Sequence, residues 1–148
     1  RLVDAMVGAS GERRTRSVPE KQRVLSSETA ATMRAMMEGV VLRGTGRRAQ
    51  TPGYRVGGKT GTAQKPSKTR RGYEDGKYFS SFIGFLPAEN PQLCIGVFVD
   101  EPHNGHYGGV VAAPAFKVIA EKSANYLGIE PSVPVKSMSE QKPRVVSR

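Results

Sequence analysis

The densest concentration of chemical groups in the chain is the run Gly57-Gly58-Lys59-Thr60-Gly61-Thr62-Ala63, which sets an ammonium and two hydroxyls among three glycines. In an extended segment successive side chains alternate between faces, so Thr60 and Thr62 share one face. Two hydroxyls therefore lie on one face of the segment, beside a cation and among glycines that keep the strand slim. A second reading competes for the same letters. Gly53 to Thr60 satisfies the phosphate-loop pattern G-x-x-x-x-G-K-[ST], and the run Cys94 to Glu101 has the apolar-then-acidic form of its companion strand. A phosphate loop must leave a buried strand and open a helix, whose N-terminal amides hold the phosphates. The residues before it, Arg47 to Pro52, do not make a buried strand, and those after it, Gly61 to Pro66, are poor helix formers. The nucleotide reading therefore ranks last, and the extended reading is carried forward.

Two further clusters could bear chemistry. His103 and His106 have the H-x-x-H spacing of a metal pair, but no third ligand stands at a recognised spacing, so they read as loop histidines. Cys94, the single cysteine, lies in an apolar run and has no internal disulfide partner. No cofactor is expected.

The elements that must position the Lys59–Thr62 group follow from the patterning. Residues 2–9 suit a strand, Gly11-Glu12 a turn, and Arg13 to Val24 a polar return broken by Pro19. Met33, Met36, Met37, Val40 and Val41 recur at helical spacing and predict an amphipathic helix from Ser27 whose methionine stripe packs on a sheet. Ser26 or Ser27 supplies its N-cap, and Gly44 stops it. Residues 44–53 form a loop, and Tyr54 to Ala63 is extended. Lys65 to Lys77 reads as a basic loop, in which Arg70, Arg71 and Tyr73 either border a cleft or face solvent. Strands follow over Tyr78–Phe85 and Gln92–Asp100, joined by a turn at residues 87–91. A final helix runs over about Val111–Leu127, with Pro114 tolerated in its first turn. The fold class is α+β: an antiparallel sheet flanked by helices, spanning residues 1–128, with a flexible Pro/Ser/Lys-rich tail over 129–148.

Composition bounds the function classes. The chain has 148 residues, 37% hydrophobic and 24% charged, with no apolar stretch of the roughly 18 residues a membrane helix requires. Lys plus Arg exceed Asp plus Glu by 23 to 13, for a net charge of +10. The basic residues are scattered and lack the aromatic interleaving of a single-strand binder, so a nucleic-acid partner is not expected. The chain opens at Arg1 without a leader, and the expectation is a piece of a longer protein whose targeting segment lies upstream.

The Lys59-Thr60-Gly61 triplet is also the third element of the serine acyl-transferases that use S-x-x-K, S-x-N and K-[ST]-G. Around it stand Pro52-Gly53-Tyr54, the run Tyr78 to Ala88, Val99-Asp100-Glu101-Pro102, and the closing Gly108-Gly109 to Phe116. Together these make residues 1–127 resemble the C-terminal part of a class B penicillin-binding protein, a peptidoglycan D,D-transpeptidase of the division or elongation type.

The resemblance implies a serine acyl-enzyme that cross-links cell wall and is inhibited by β-lactams. Thr60, Gly61 and Thr62 then seat the D-Ala-D-Ala end of the stem peptide, Lys59 supplies positive charge to the catalytic site, and the Thr62 backbone N–H forms half of the oxyanion hole. It implies an extracytoplasmic enzyme, in the periplasm or on the outer face of the cytoplasmic membrane, anchored by an N-terminal segment absent here. Its partners would be a cell-wall synthesis complex with a lipid II glycosyltransferase. In the family the nucleophile precedes the K-T-G strand. Ser139 to Lys142 fits S-x-x-K and Ser123 to Asn125 fits S-x-N, but both follow it, so they read as chance matches and the chain holds no nucleophile. The fragment alone is expected to be inactive. A penicillin-recognising sensor, or a D,D-carboxypeptidase or β-lactamase relative, would keep the same strand.

Overall fold

The structure, a computed structural model, describes residues 5–15, 22–103 and 105–134. The chain divides into two compact units, Arg1–Ala30 and Ala31–Arg148. In the first unit, strand β1 (Ala5–Val7) pairs antiparallel with β2 (Arg13–Thr15), with Met6 opposite Arg14. The turn between them closes through the amide of Gly8 on the Glu12 carbonyl and that of Gly11 on the Gly8 carbonyl. The predicted break at Pro19 lies outside the described residues.

Helix α1 (Ser27–Arg43) begins as its sequence dictates: Ser26 Oγ accepts the Thr29 amide at 3.0 Å, an N-cap that satisfies one orphan donor. It stops at Gly44 and Gly46, whose amides both reach the Val40 carbonyl, at 3.0 and 3.1 Å. The predicted stripe is buried only in part: Val41 is buried and Met37 and Val40 are half-buried, while Met33 and Met36 are exposed. The physical reason is rotation about the helix axis. Arg34 donates to the Glu89 carbonyl, Glu38 pairs with Arg55 through two 2.6 Å hydrogen bonds, and the Val41 carbonyl accepts from Gln50. These contacts turn the 34–38–41 face inward and leave Met33 and Met36 on its flank.

A three-stranded antiparallel sheet follows, in the order β3 (Gly57–Pro66), β4 (Tyr73–Leu86), β5 (Leu93–Asp100). Strand alternation sorts its two faces. Ser80, Phe82, Gly84 and Leu86 of β4 are buried on one side, and Leu93, Ile95, Val97 and Val99 of β5 pack there against the core. Phe79, Ile83 and Phe98 lie on the other side and are exposed. The segment Lys65–Lys77, expected as a loop, is mostly strand. Pro66 pairs with Tyr73 after a register shift past Gln64, and the Ser67 amide closes a short loop on the Gly72 carbonyl at 2.9 Å. Gly72 and Gly76 take φ values of 110° and 72°, which glycine adopts without strain, so basic composition did not preclude a hairpin here.

The expected last helix is two: a single turn, α2 (Gly108–Val111), and α3 (Ala113–Tyr126), with Pro114 in the first turn of α3. Helix α3 buries Ala113, Phe116, Ala120 and Ala124, one face at helical spacing, against the sheet. Its small residues allow close approach, and the Phe116 ring meets Phe82 edge-on at 4.8 Å and 66°. The packed chain runs past the predicted boundary at 128. Ile129 is buried, its carbonyl accepts the Tyr54 hydroxyl at 2.6 Å, and the amides of Ser132 and Val133 reach the Gly53 carbonyl. No helix of the described residues is long and apolar enough to cross a membrane.

Candidate active site

Lys59, Thr60, Gly61 and Thr62 lie within β3, which among the described residues pairs with β4 alone and so keeps its other edge open. No helix opens at Thr60, so the geometry of a phosphate loop is not formed. Thr60 stands opposite Phe82 and Thr62 opposite Ser80, which puts both threonines on the α3 side of the sheet, as the alternation predicts. The inner half of β3 is seated by glycines. A Cβ at Gly58 would fall 2.6 Å from Phe82 Cζ and 2.7 Å from the Ile83 carbonyl oxygen, so nothing larger fits between strand and core. At Gly61 a Cβ would crowd only Ser81 Oγ on the paired strand, a hydroxyl that a change of rotamer moves aside.

Each site hydroxyl has a defined partner. Thr62 Oγ1 accepts the Gly108 amide at 3.1 Å, and Thr60 Oγ1 lies 2.9 Å from Thr45 Oγ1. Lys59 Nζ donates to the Thr60 carbonyl at 3.1 Å and stands 3.5 Å from Thr60 Oγ1. The exposed lysine thus curls over the strand and brings its charge beside the Thr60 hydroxyl. Gly108 and Gly109 bring the start of α2 against this strand. A Cβ at Gly108 would collide with the Ser81 and Gly61 carbonyl oxygens, and one at Gly109 with the Thr45 carbonyl oxygen. The strand, the turn after α1 and the start of α2 therefore converge on Thr60 and Thr62.

The histidines fall at the rim. His106 stacks on Tyr78 at 4.1 Å and meets Tyr107 at 4.3 Å, while its carbonyl accepts the buried Ser80 hydroxyl. His103 is exposed, and among the described residues no three His, Cys, Asp or Glu side chains are grouped to hold a metal. Arg70 is exposed and paired with Asp75 on the outer hairpin, and Arg71 and Tyr73 are exposed there too. Cys94 is an exposed free thiol. Ser123 and Asn125 lie in the last turns of α3, and Ser139 and Lys142 lie outside the described residues. A recess of about 440 Å³ is lined by residues that include Glu38, Gln50, Tyr54, Arg55 and Lys117, and by none of Lys59 to Thr62. Three participants, Thr45, Gly108 and Gly109, escaped sequence reasoning. Thr45 read as loop, although a threonine between two glycines at a helix end is a local signal. Gly108 and Gly109 carried a resemblance without a reason.

A three-stranded antiparallel sheet with a packed helix on one face places the chain among α+β folds. The comparisons narrow this. The sequence matches the family described as "Penicillin binding protein transpeptidase domain" over residues 1–121, and the chain belongs to that family. It is 43% identical over 126 residues to the "probable peptidoglycan D,D-transpeptidase PenA" of Neisseria flavescens, covering 84% of this chain and 31% of that protein. It is 47% identical over 117 residues to stage V sporulation protein D of Bacillus subtilis, covering 75% of this chain and 17% of that protein. Among solved structures it is similar to the transpeptidase domain of penicillin-binding protein 3 from Burkholderia pseudomallei, with a TM-score of 0.70 at 43% identity, covering 82% of this chain and 38% of that one. Penicillin-binding protein 3 from Mycobacterium tuberculosis, complexed with aztreonam, gives a TM-score of 0.71 at 35% identity, covering 90% of this chain and 32% of that one. The chain spans about a third or less of the length of these two curated relatives.

Proposed function

We propose that this chain is the substrate-seating part of a peptidoglycan D,D-transpeptidase that works outside the cytoplasmic membrane through a serine acyl-enzyme. The observation that carries the reading is the convergence of Lys59, Thr60 and Thr62 on the open-edged strand β3. Acyl transfer from a D-Ala-D-Ala terminus leaves a carboxylate beside the scissile bond, and two hydroxyl donors next to an ammonium suit it. The Thr62 N–H takes half of the oxyanion hole, a role in which a fixed backbone donor stabilises charge as it develops. A β-lactam carries the same carboxylate and occupies the same seat. The nucleophile comes from sequence other than these 148 residues, since the S-x-x-K match at Ser139 follows the strand. The names of the relatives support transpeptidase over carboxypeptidase, β-lactamase or sensor. A cell-wall synthesis complex with a lipid II glycosyltransferase, and a membrane anchor, belong to this reading.

Fluorescent penicillin provides the test. The full-length protein is expected to take a covalent label that excess unlabelled penicillin prevents, while residues 1–148 alone take none. Covalent labelling of the isolated chain, or none of the full-length protein, contradicts the proposal.

A further inference from the structure

We infer that Thr45 is a positioning residue for the reaction: it directs the hydroxyl proton of Thr60 toward the substrate carboxylate. The inference rests on the transpeptidase reading above. A hydroxyl has one proton to give and lone pairs to accept with. Thr60 Oγ1 has two polar neighbours, Lys59 Nζ at 3.5 Å and Thr45 Oγ1 at 2.9 Å. The ammonium can only donate. The 2.9 Å contact can run either way, and in the proposed arrangement Thr45 is its donor. When Thr45 donates, Thr60 Oγ1 has its acceptor role filled and its own O–H is left for an anion on the open side. Thr62 shows the same arrangement with no ambiguity, because a backbone amide can only donate: the Gly108 N–H fills its acceptor role at 3.1 Å and frees its proton outward.

Thr45 is built to hold this position. The amides on either side of it, Gly44 and Gly46, are both tied to the Val40 carbonyl, which fixes the turn at the end of α1. Gly46 is buried, with room for a Cβ only 3.2 Å from the Phe82 ring, and Gly109 packs on the Thr45 carbonyl with no space for a side chain. The Thr45 side chain itself is exposed, so its removal leaves the core untouched. With Thr45 as the donor, a carboxylate arriving at β3 meets two hydroxyls, Thr60 and Thr62, that each accept from the protein and keep a proton to give.

The test compares Thr45→Val and Thr45→Ser in the full-length protein, with a penicillin and with its carboxylate methyl ester. The readout is the second-order rate of acylation, alongside thermal unfolding. Loss of the neutral hydrogen bond that aligns Thr60 corresponds to about a fivefold fall in rate for Thr45→Val with the free acid. The ester, lacking the charge, is expected to react with Thr45→Val at the rate it shows with the unsubstituted protein. Thr45→Ser, which keeps the hydroxyl, is expected to retain most of the free-acid rate. Equal losses with acid and ester, or no loss with either, overturn the positioning role while leaving the transpeptidase reading intact. No acylation of the unsubstituted protein by penicillin contradicts that reading, and this inference falls with it.

Discussion

The two halves of the β3–β4 ribbon are built on opposite principles. From Gly57 to Thr62 the ribbon lies under α2 and α3, with strand, ring and helix so close that glycines are required, and its side chains face fixed partners. From Ala63 to Lys77 it is exposed, bent at the shift past Gln64, and held by ion pairs: Lys65 with Asp100 and Glu101, Lys77 with Glu74, Arg70 with Asp75. Close packing fixes geometry to fractions of an ångström, whereas exposed ion pairs are screened and add little. The candidate site sits in the half where position is controlled by packing. The outer half is where sequence reasoning misjudged strand for loop, because a hairpin held by surface charge leaves no apolar alternation to read.

Breaking the packed half should have the largest effect. Phe116→Ala removes the ring that backs Phe82 beneath Thr60, and a fully buried Phe-to-Ala change costs about 3–5 kcal/mol. Urea unfolding of the protein measures it, and a cost under about 1 kcal/mol would mean that α3 does not support the strand. Tyr54→Phe sharpens the comparison at the entry to β3. It keeps the ring and removes the hydroxyl that donates to the Ile129 carbonyl, for an expected loss of about 1 kcal/mol by the same measurement.

The smallest effect is expected from the outer half, and its pH behaviour identifies the source. Hydrogen bonds to Glu101 and then Asp100 raise the Lys65 ammonium above its ordinary 10.5, so its contribution is complete below that value and is lost as pH climbs through the raised one. The Lys77 hydrogen bond holds the Glu74 carboxyl below its ordinary 4.5, so its contribution is complete above that value and is lost as pH falls through the lowered one. Between about pH 5 and 10 the hairpin pairs should therefore be insensitive to pH but weakened by salt. Lys65→Gln at neutral pH is expected to leave the midpoint of unfolding nearly unchanged. Amide exchange at residues 73–77 should quicken while exchange in Gly57–Thr62 stays as it was. Equal quickening in both halves would erase the distinction.

Much of the site was legible because it obeys a period of two. Lys59, Thr60 and Thr62 could be placed on a strand, and the threonines on one face, before any coordinates existed. The rejection of the phosphate loop rested on the same local argument. What stayed hidden depends on contacts between distant parts of the chain. Thr45 meets Thr60 across 15 residues, and Gly108 meets Thr62 across 46. No spacing rule encodes either. The stripe was legible only in part for a related reason: Met33 and Met36 have the right period, but Arg34, Glu38 and Val41 have partners that decide which face turns inward.

The central claim is that Thr60 and Thr62 form the carboxylate seat, and the crystal structure of the full-length protein acylated by a penicillin tests it most directly. The carboxylate is predicted within about 3 Å of both Oγ1 atoms, with Thr45 still bonded to Thr60. A carboxylate bound elsewhere, for example by Arg70 or Arg71 on the outer hairpin, would contradict the account.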